Sequence, residues 1–271
     1  MELKKIPPRR LGEYIKYFYI LRARANEMPG HDHRNLPDGN LELIINLGKP
    51  VIQFTSKGWI TRPEVFLVGL FDKHFFVQYT GDIYMVGVFF QPGCASLFIN
   101  DNLQHYQECL TSADQIMGSS ASLLSEQLYS APTDVEKITI LENYLAKQLI
   151  DHIDEYRVNQ IRQAVNLIHT NEGNIQIPQL FKSVHMSERN FRRCFSELVG
   201  LSPKQYSRIV RIKSIVKYCK SDEYSFLDIF YNLGYHDQSH LINDFQQIAG
   251  VSPSAFLSHI NPIDTQFIKS V

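Results

Sequence analysis

Along the C-terminal third of the chain, apolar residues fall at the three- and four-residue spacing of helices packed on one side, in two blocks. In the first block Leu180, Phe181 and Val184 are followed, after a gap at His185, by Phe191, Cys194, Phe195 and Leu198. In the second, Phe226, Ile229, Phe230 and Leu233 lead through Gly234 to Leu241, Phe245 and Ile248. Each pattern predicts helix, tight turn, helix and stop, over residues 176–199 and 225–249. Ser187 and Asp237 stand where the second helix of each pair needs an N-cap, and Gly200 and Gly250 where it needs a left-handed terminator. Pro178 suits the first turn of the opening helix. Ser202-Pro203 and Ser252-Pro253 then open a further helix in each block, serine as cap and proline at the first helical position. The helix over residues 203–220 links the blocks and is about 27 Å long.

The two blocks are copies of one unit. Gly200-Leu201-Ser202-Pro203-Lys204-Gln205-Tyr206 returns as Gly250-Val251-Ser252-Pro253-Ser254-Ala255-Phe256, and Phe195 matches Phe245. Leu180-Phe181 matches Ile229-Phe230, and Val184 matches Leu233, with one extra residue in the second turn. Two helices joined by a short turn are the geometry that lays the second helix in the major groove of DNA. Set at the two ends of one linker helix, two such readers can stand about one DNA turn, ~34 Å, apart.

The N-terminal pattern differs. Short apolar runs at Leu41–Leu47, Val51–Thr55, Val65–Leu70, Phe75–Tyr79 and Tyr84–Phe90 are separated by the turn signals Pro37-Asp38-Gly39, Gly48-Lys49-Pro50, Lys57-Gly58 and Gln91-Pro92-Gly93. They predict a small β-barrel or sandwich over residues 1–93, preceded by a short segment around Leu11–Leu21. Residues 94–153 carry apolar marks at helical spacing, among them a helix over Thr133–Ile150 with Val135, Ile138, Leu141, Leu145 and Leu149 on one side. That side packs on its own domain or pairs two subunits. The expected class is therefore α+β and multidomain. Residues 1–153 form a sensor or dimerisation domain, a linker runs near Asp151–Arg157, and residues 157–262 form an all-α tandem helix-turn-helix domain.

Charge changes the picture more than composition does. The net charge of −1 conceals a balance of −5 over residues 1–156 and +4 over residues 157–260. Residues 182–220 alone hold ten basic and two acidic side chains. Such asymmetry suits a basic face that meets a polyanion. The outward positions of the first reader are Glu188, Arg189, Asn190, Arg192, Arg193 and Glu197. Those of the second are Gln238, Ser239, His240, Asn243 and Gln247, polar but nearly uncharged. Arginine pairs bidentately with guanine and asparagine with adenine, and either can hold phosphate. On the linker helix Arg208, Arg211 and Lys213 either hold phosphate or are tied down by acidic neighbours. The first unit is thus expected to supply most of the electrostatic affinity.

Other chemistry is sparse. Cys94, Cys109, Cys194 and Cys219 show no metal-ligand or disulfide spacing, and no apolar run reaches membrane-span length. No signal-peptide run opens the chain, so a soluble cytoplasmic protein is expected. His31-x-His33 has no matching Glu and distal His and is assigned to a surface loop, so neither metal nor cofactor is expected. Phe54, Phe66, Phe76, Tyr79, Tyr84 and Phe89 either line a ligand pocket or simply fill the core. The alternative class, an enzyme or repair domain fused to a DNA-binding tail, needs a catalytic constellation. No GxSxG, HExxH, phosphate loop or cysteine cluster is present, and no catalytic residue is assigned.

The stretch Met186-Ser187-Glu188-Arg189-Asn190-Phe191-Arg192-Arg193-Cys194-Phe195, with Gly200-Leu201-Ser202-Pro203 and Tyr206, resembles the first helix-turn-helix of the AraC/XylS family of bacterial transcription regulators. Leu233-Gly234-Tyr235-His236-Asp237-Gln238-Ser239-His240-Leu241, Phe245 and Gly250-Val251-Ser252-Pro253 resemble the second. The resemblance covers about 100 residues. It implies base reading by Arg189, Asn190 and Arg193 and by Gln238, Ser239, His240 and Asn243. It further implies double-stranded DNA and RNA polymerase as partners, with activation the customary output. Phe181, Phe230 and Ile215 stand where the family favours Ala, and His185 where it favours a turn Gly, which implies a differently packed core. Leu36-Pro37-Asp38-Gly39, Leu43-Ile44-Ile45-Asn46-Leu47-Gly48 and Gly87-Val88-Phe89-Phe90-Gln91-Pro92-Gly93 resemble an N-terminal domain of some AraC-like regulators that has no assigned activity. By analogy with arabinose-type sensors it holds a small-molecule effector or mediates homodimerisation.

Overall fold

The apolar runs of the N-terminal region become strands, and the reason they lack polar alternation is that one sheet is covered on both faces. The computed structural model describes residues 1–27, 32–99, 101–118, 120–150, 154–219, 229 and 231–258. Its strands are β1 (Glu2–Ile6), β2 (Ile15–Ala23), β3 (His33–Asn35), β4 (Glu42–Asn46), β5 (Val51–Thr55), β6 (Gly58–Thr61), β7 (Val65–Val68), β8 (Phe75–Tyr79), β9 (Ile83–Phe90) and β10 (Leu110–Ser112). A six-stranded sheet runs β1-β2-β9-β4-β7-β10 and a four-stranded sheet β3-β8-β5-β6, all pairs antiparallel. The two are separate sheets rather than one closed barrel.

Alternate residues of the larger sheet go to opposite sides. Tyr19, Leu21, Ile44, Phe66, Met85 and Phe89 pack with Val51 and Val77 of the smaller sheet. Phe18, Ile20, Leu43, Ile45, Val86 and Val88 join a second, larger core with the helices. Gly87 sits opposite Tyr19 on the central pair β2–β9. A Cβ there would lie 2.1 Å from the Tyr19 ring, so only glycine leaves room for that buried phenol.

The helices are α1 (Asp114–Met117), α2 (Ser120–Ser130), α3 (Asp134–Gln148), α4 (Glu155–Thr170), α5 (Ile177–Ser183), α6 (Glu188–Val199), α7 (Pro203–Cys219), α8 (Gln238–Ala249) and α9 (Pro253–Ser258). Thr133 caps α3 through the Glu136 amide. Ile138, Leu141 and Leu145 pack on the β-domain, whereas Val135 is exposed. Buried Glu142 on α3 accepts the amides of Arg9, Arg10 and Leu11, which ties the chain start to this helix.

Several expectations need correction. Among the described residues of 94–112 the elements are short 3-10 turns and the strand β10, which returns to the edge of the larger sheet. The segment near Leu11–Leu21 is a nine-residue central strand, and β1, β3 and β6 were not foreseen. His33 is buried on β3 rather than in a surface loop, and desolvation pushes its imidazole down to about 4. His31 and residues 151–153 of the expected linker lie outside the described residues.

The larger core does not stop at the domain boundary. It continues from the sheet through α2 and α3 into Val158, Ile161, Phe191, Phe195, Tyr206 and Ile209. Ile212, Ile215 and Val216 of the same linker helix belong instead to the core of the second helix pair, with Leu233, Leu241, Phe245 and Ile248. Replacing Gly87 by Ala is expected to overpack the Tyr19 site and to destabilise the chain by ~1–3 kcal/mol. A thermal melt of the variant showing an unchanged Tm would contradict this packing.

Candidate nucleic-acid interface and interdomain cavity

Local capping chemistry builds both reader helices as the spacing predicts. The Ser187 hydroxyl accepts the Asn190 amide to start α6, and the Asp237 carboxylate accepts the His240 amide to start α8. Gly200 and Gly250 end them with φ of 83° and 74°, the left-handed conformation that side chains resist. His185, in the first turn, also has positive φ, at 54°. Phe191, Cys194, Phe195 and Leu198 are buried beneath α6, and Leu241, Phe245 and Ile248 beneath α8. Phe181 is accommodated at the margin of the core, half-buried, its ring tilted against Phe191 at 6.5 Å. Ile215 is fully buried, and Phe226 and Phe230 lie outside the described residues.

Arg189, Asn190, Arg192 and Arg193 on α6 are exposed, as are Gln238, Ser239, His240 and Asn243 on α8. The arginines are not equivalent. Arg192 pairs with Glu188 one turn back at 2.7 Å. Arg193 donates to both Glu197 oxygens at 2.9 and 3.0 Å and to Asn190 Oδ1 at 2.9 Å, while Glu197 also holds Arg157 of α4 at 2.5 Å. Arg193 is thus pre-set in a network that includes Asn190. Arg189 makes no ion pair among the described residues. On α8, His240 sits edge-on to Tyr235 with ring centres 5.2 Å apart.

Arg208, Arg211 and Lys213 of the linker helix each have a partner within the chain. Arg208 forms an ion pair with Asp244 of α8 and also donates to Gln247. Tyr235 donates to the other Asp244 oxygen at 2.7 Å. Arg211 donates to the Gly173 carbonyl at 2.9 Å and lies over the Tyr235 ring. Lys213 is buried and points to the β-domain, where its ammonium donates to the Asp38 carbonyl at 3.4 Å. Of the two readings open for these side chains, internal tethering is the one the geometry favours. The acids involved were invisible to a local reading because they lie on other elements.

One loop of the β-domain touches the stop of both readers. Between β7 and β8, the Leu70 side chain lies against Gly200, where a Cβ would be 1.9 Å from Leu70 Cδ1. Asp72 accepts from Gln205 at the start of α7 at 3.2 Å. The His74 amide and ring both meet the Ile248 carbonyl, at 2.7 and 3.1 Å, with the ring packed on Gly250.

The same loop walls a cavity of about 110 Å³ between the two sheets, lined by Gly69 and Phe71 and closed by Lys213 and Val216 of α7. Tyr19, Asp38, Glu42 and Arg62 give it polar groups. Tyr19 donates to Glu42 at 3.0 Å. Desolvation, with Asp38 beside it as charge and hydrogen-bond partner, raises the Glu42 carboxyl to about 8, so that it is largely protonated at neutral pH. Of the aromatic pocket candidates only Tyr79 lines this space. Phe54 is half-exposed beside Trp59, Phe76 lies under the Arg34 guanidinium, Tyr84 lies under that of Arg22, and Phe66 and Phe89 are core. Sequence periodicity could not find the cavity, because Asp38 with Glu42, Arg62 and Lys213 converge from three separate segments.

Two family models match separate stretches of the chain. Residues 180–259 match the model of a helix-turn-helix domain, and residues 4–110 match a domain of unknown function, DUF6597. An uncharacterized HTH-type transcriptional regulator of Haemophilus influenzae is 26% identical over 142 residues, which is 51% of this chain and 47% of that protein. The chain thus spans about half the length of the curated relative it matches. Among solved structures, ToxT from Vibrio cholerae superposes with a TM-score of 0.49 at 13% identity, over 89% of this chain and 98% of that one. ToxT bound to an unsaturated fatty acid superposes with a TM-score of 0.46 at 13% identity, over 89% and 94%. Among the described residues no helix is long and apolar enough to cross a membrane.

Two outcomes follow for this surface. Arg192→Ala should flatten the salt dependence of DNA binding by about one phosphate equivalent, whereas Arg208→Ala should lower the Tm and leave that slope intact. Equal slopes for the two variants would undo the distinction between reader and tether. Since the folded Glu42 carboxyl titrates near 8 and an unfolded one near its ordinary 4.5, the native state holds an extra proton between those values. Stability from this site is complete below the lower value and declines as pH rises through the upper one. Glu42→Gln, which mimics the protonated form, should match the wild-type Tm at pH 5 and exceed it at pH 8.5. A constant difference across that range would contradict the assignment.

Proposed function

From a chain that joins a domain of unknown function to an AraC/XylS-type tandem helix-turn-helix domain, we propose a sequence-specific DNA-binding transcription regulator that responds to an effector through its N-terminal domain. The observation that carries the reading is the pair of capped reader helices, α6 and α8, whose outward faces are free of packing duty and rich in Arg, Asn, Gln and His. The base-reading set is Arg189, Asn190 and Arg193 on α6, with Gln238, Ser239, His240 and Asn243 on α8. Arg192 joins them as a phosphate contact.

Effector response is supported by the place of the cavity. Its walls include α7, which carries both readers, and the β7–β8 loop, which abuts both reader stops. A ligand that fits the space differently in two arrangements of α7 would bias DNA binding by that difference in affinity. The reading places the protein on cytoplasmic DNA, with RNA polymerase as the downstream partner and no catalytic step. A homodimer would double the array of boxes on the operator.

Selection of bound fragments from a random DNA pool by the full chain, followed by titration at several salt concentrations, tests this. Two short boxes about one turn apart, with affinity falling steeply in salt, are expected. No enriched sequence, or a flat salt response, would refute it. Within the selected site Arg193→Ala should cost more affinity than Asn243→Ala, and equal losses would overturn the dominance of the first unit.

A further inference from the structure

A side-chain network on the outward face of α6 fixes which hydrogen-bonding atoms the first reader can offer. Glu197, near the end of that helix, lies between two guanidiniums. Arg193 Nη1 donates to both of its oxygens, at 2.9 and 3.0 Å, and Arg157 Nη2 of α4 donates to Oε2 at 2.5 Å. Without Arg157 the carboxylate would be half of an exposed i,i+4 pair, which holds a side chain weakly. Through Nη2 the Arg193 guanidinium also donates to Asn190 Oδ1, at 2.9 Å. The thiol of Cys194, buried beneath the helix, donates to the same oxygen at 3.4 Å. An arginine N–H can only donate, so the amide atom that faces it is the oxygen. An amide oxygen has two lone pairs, and both are taken here. Asn190 is left with Nδ2 and Arg193 with Nε, both donors, and among the described residues neither has a partner within the chain.

We propose that Arg193 and Asn190 form one donor-only recognition unit that selects bases with a keto oxygen in the major groove, guanine or thymine, over adenine and cytosine. Glu197 and Arg157 are its positioning residues. The inference rests on the DNA-binding function proposed above. Guanine offers N7 and O6 in the major groove and thymine offers O4, all acceptors, whereas adenine N6 and cytosine N4 carry donor hydrogens. The usual pairing of asparagine with adenine needs the amide oxygen to accept from N6. In this chain that oxygen is occupied, and turning it to a base would strip Arg193 and Cys194 of their acceptor. Asn190 and Arg193 stand one helical turn apart on one face, so they meet neighbouring base pairs. Arg193 then reads guanine, and Asn190 reads guanine or thymine beside it. The selectivity comes from the network rather than from the residue types, because an asparagine free of Arg193 could present its oxygen and accept adenine. Packing of α6 and the second guanidinium on Glu197 keep the unit in one geometry before DNA arrives.

The test uses the full chain and a site selected from a random DNA pool, with each base placed in turn at every position of the first box. The pair read by Asn190 is the one at which Asn190→Ala loses discrimination. There the wild type is expected to favour guanine or thymine over adenine and cytosine by about tenfold. Asn190→Asp still meets Arg193 but presents an acceptor outward, and should reverse the order in favour of cytosine or adenine. Arg157→Met should reduce the preference for guanine at the pair read by Arg193 severalfold, and Arg157→Lys, which keeps the charge, should restore most of it. A merely structural role for Arg157 would weaken binding to all sequences alike and leave that ratio unchanged, which would overturn the positioning assignment. Adenine preferred at the Asn190 pair would overturn the donor-only unit. So would an Asn190→Ala loss equal for all bases, the mark of a phosphate contact. A pool with no enriched box would instead refute the DNA-binding function on which the inference rests.

Discussion

The linker helix α7 has little solvent face, and its burial on two sides constrains every other part of the molecule. Tyr206, Ile209 and Val210 pack into the core shared with the β-domain, and Ile212, Ile215 and Val216 into the core of the second helix pair. Each such side chain contributes roughly 1.5–3 kcal/mol relative to exposure. The helix therefore cannot turn about its axis without disturbing both cores. Tyr206 is held further by the loop at Gly39, where an added Cβ would come within 2.9 Å of the ring, and by a 2.9 Å hydrogen bond with His169 of α4.

With α7 fixed in this way, the positions of the two readers become a property of the whole chain. Arg208 and Arg211 reach from α7 to Asp244, Tyr235 and the Gly173 carbonyl, and bind the helix pairs to it by charge and hydrogen bonds. The β7–β8 loop closes the circuit from the other side, with Leu70 on the stop of α6 and His74 on the stop of α8. Phe71 of that loop faces the cavity, as does Lys213 of α7. The cavity and the stops of both readers thus share one loop and one helix as walls and supports.

The parts legible in the sequence are those set by local chemistry. Ser187, Asp237, Gly200 and Gly250 declare helix ends within a few residues, so both readers and their outward faces follow directly. Central strands such as β5 and β8 are legible because an apolar run between turn signals suffices. β1 and β6 are edge strands with exposed or charged side chains, and β10 is three residues long in a stretch of helical composition. β1 pairs with the neighbouring β2 and β6 with β5, whereas β10 is held by β7, far away in sequence. The same holds for the site. Arg208 and Lys213 look like surface cations until Asp244 and Asp38 are placed beside them, and the cavity exists only once segments as far apart as Asp38, Arg62 and Lys213 converge.

The contacts of the β7–β8 loop with the stops of α6 and α8 set the register of the two readers. This is tested most directly by measuring the affinity of the full chain and of a Leu70→Ala, His74→Ala double variant for two DNAs. One DNA carries both selected boxes and the other has the second box scrambled. The claim predicts that the variant loses affinity for the two-box DNA and binds the single-box DNA as the wild type does. Unchanged affinity for the two-box DNA, or the same loss on both, would contradict it.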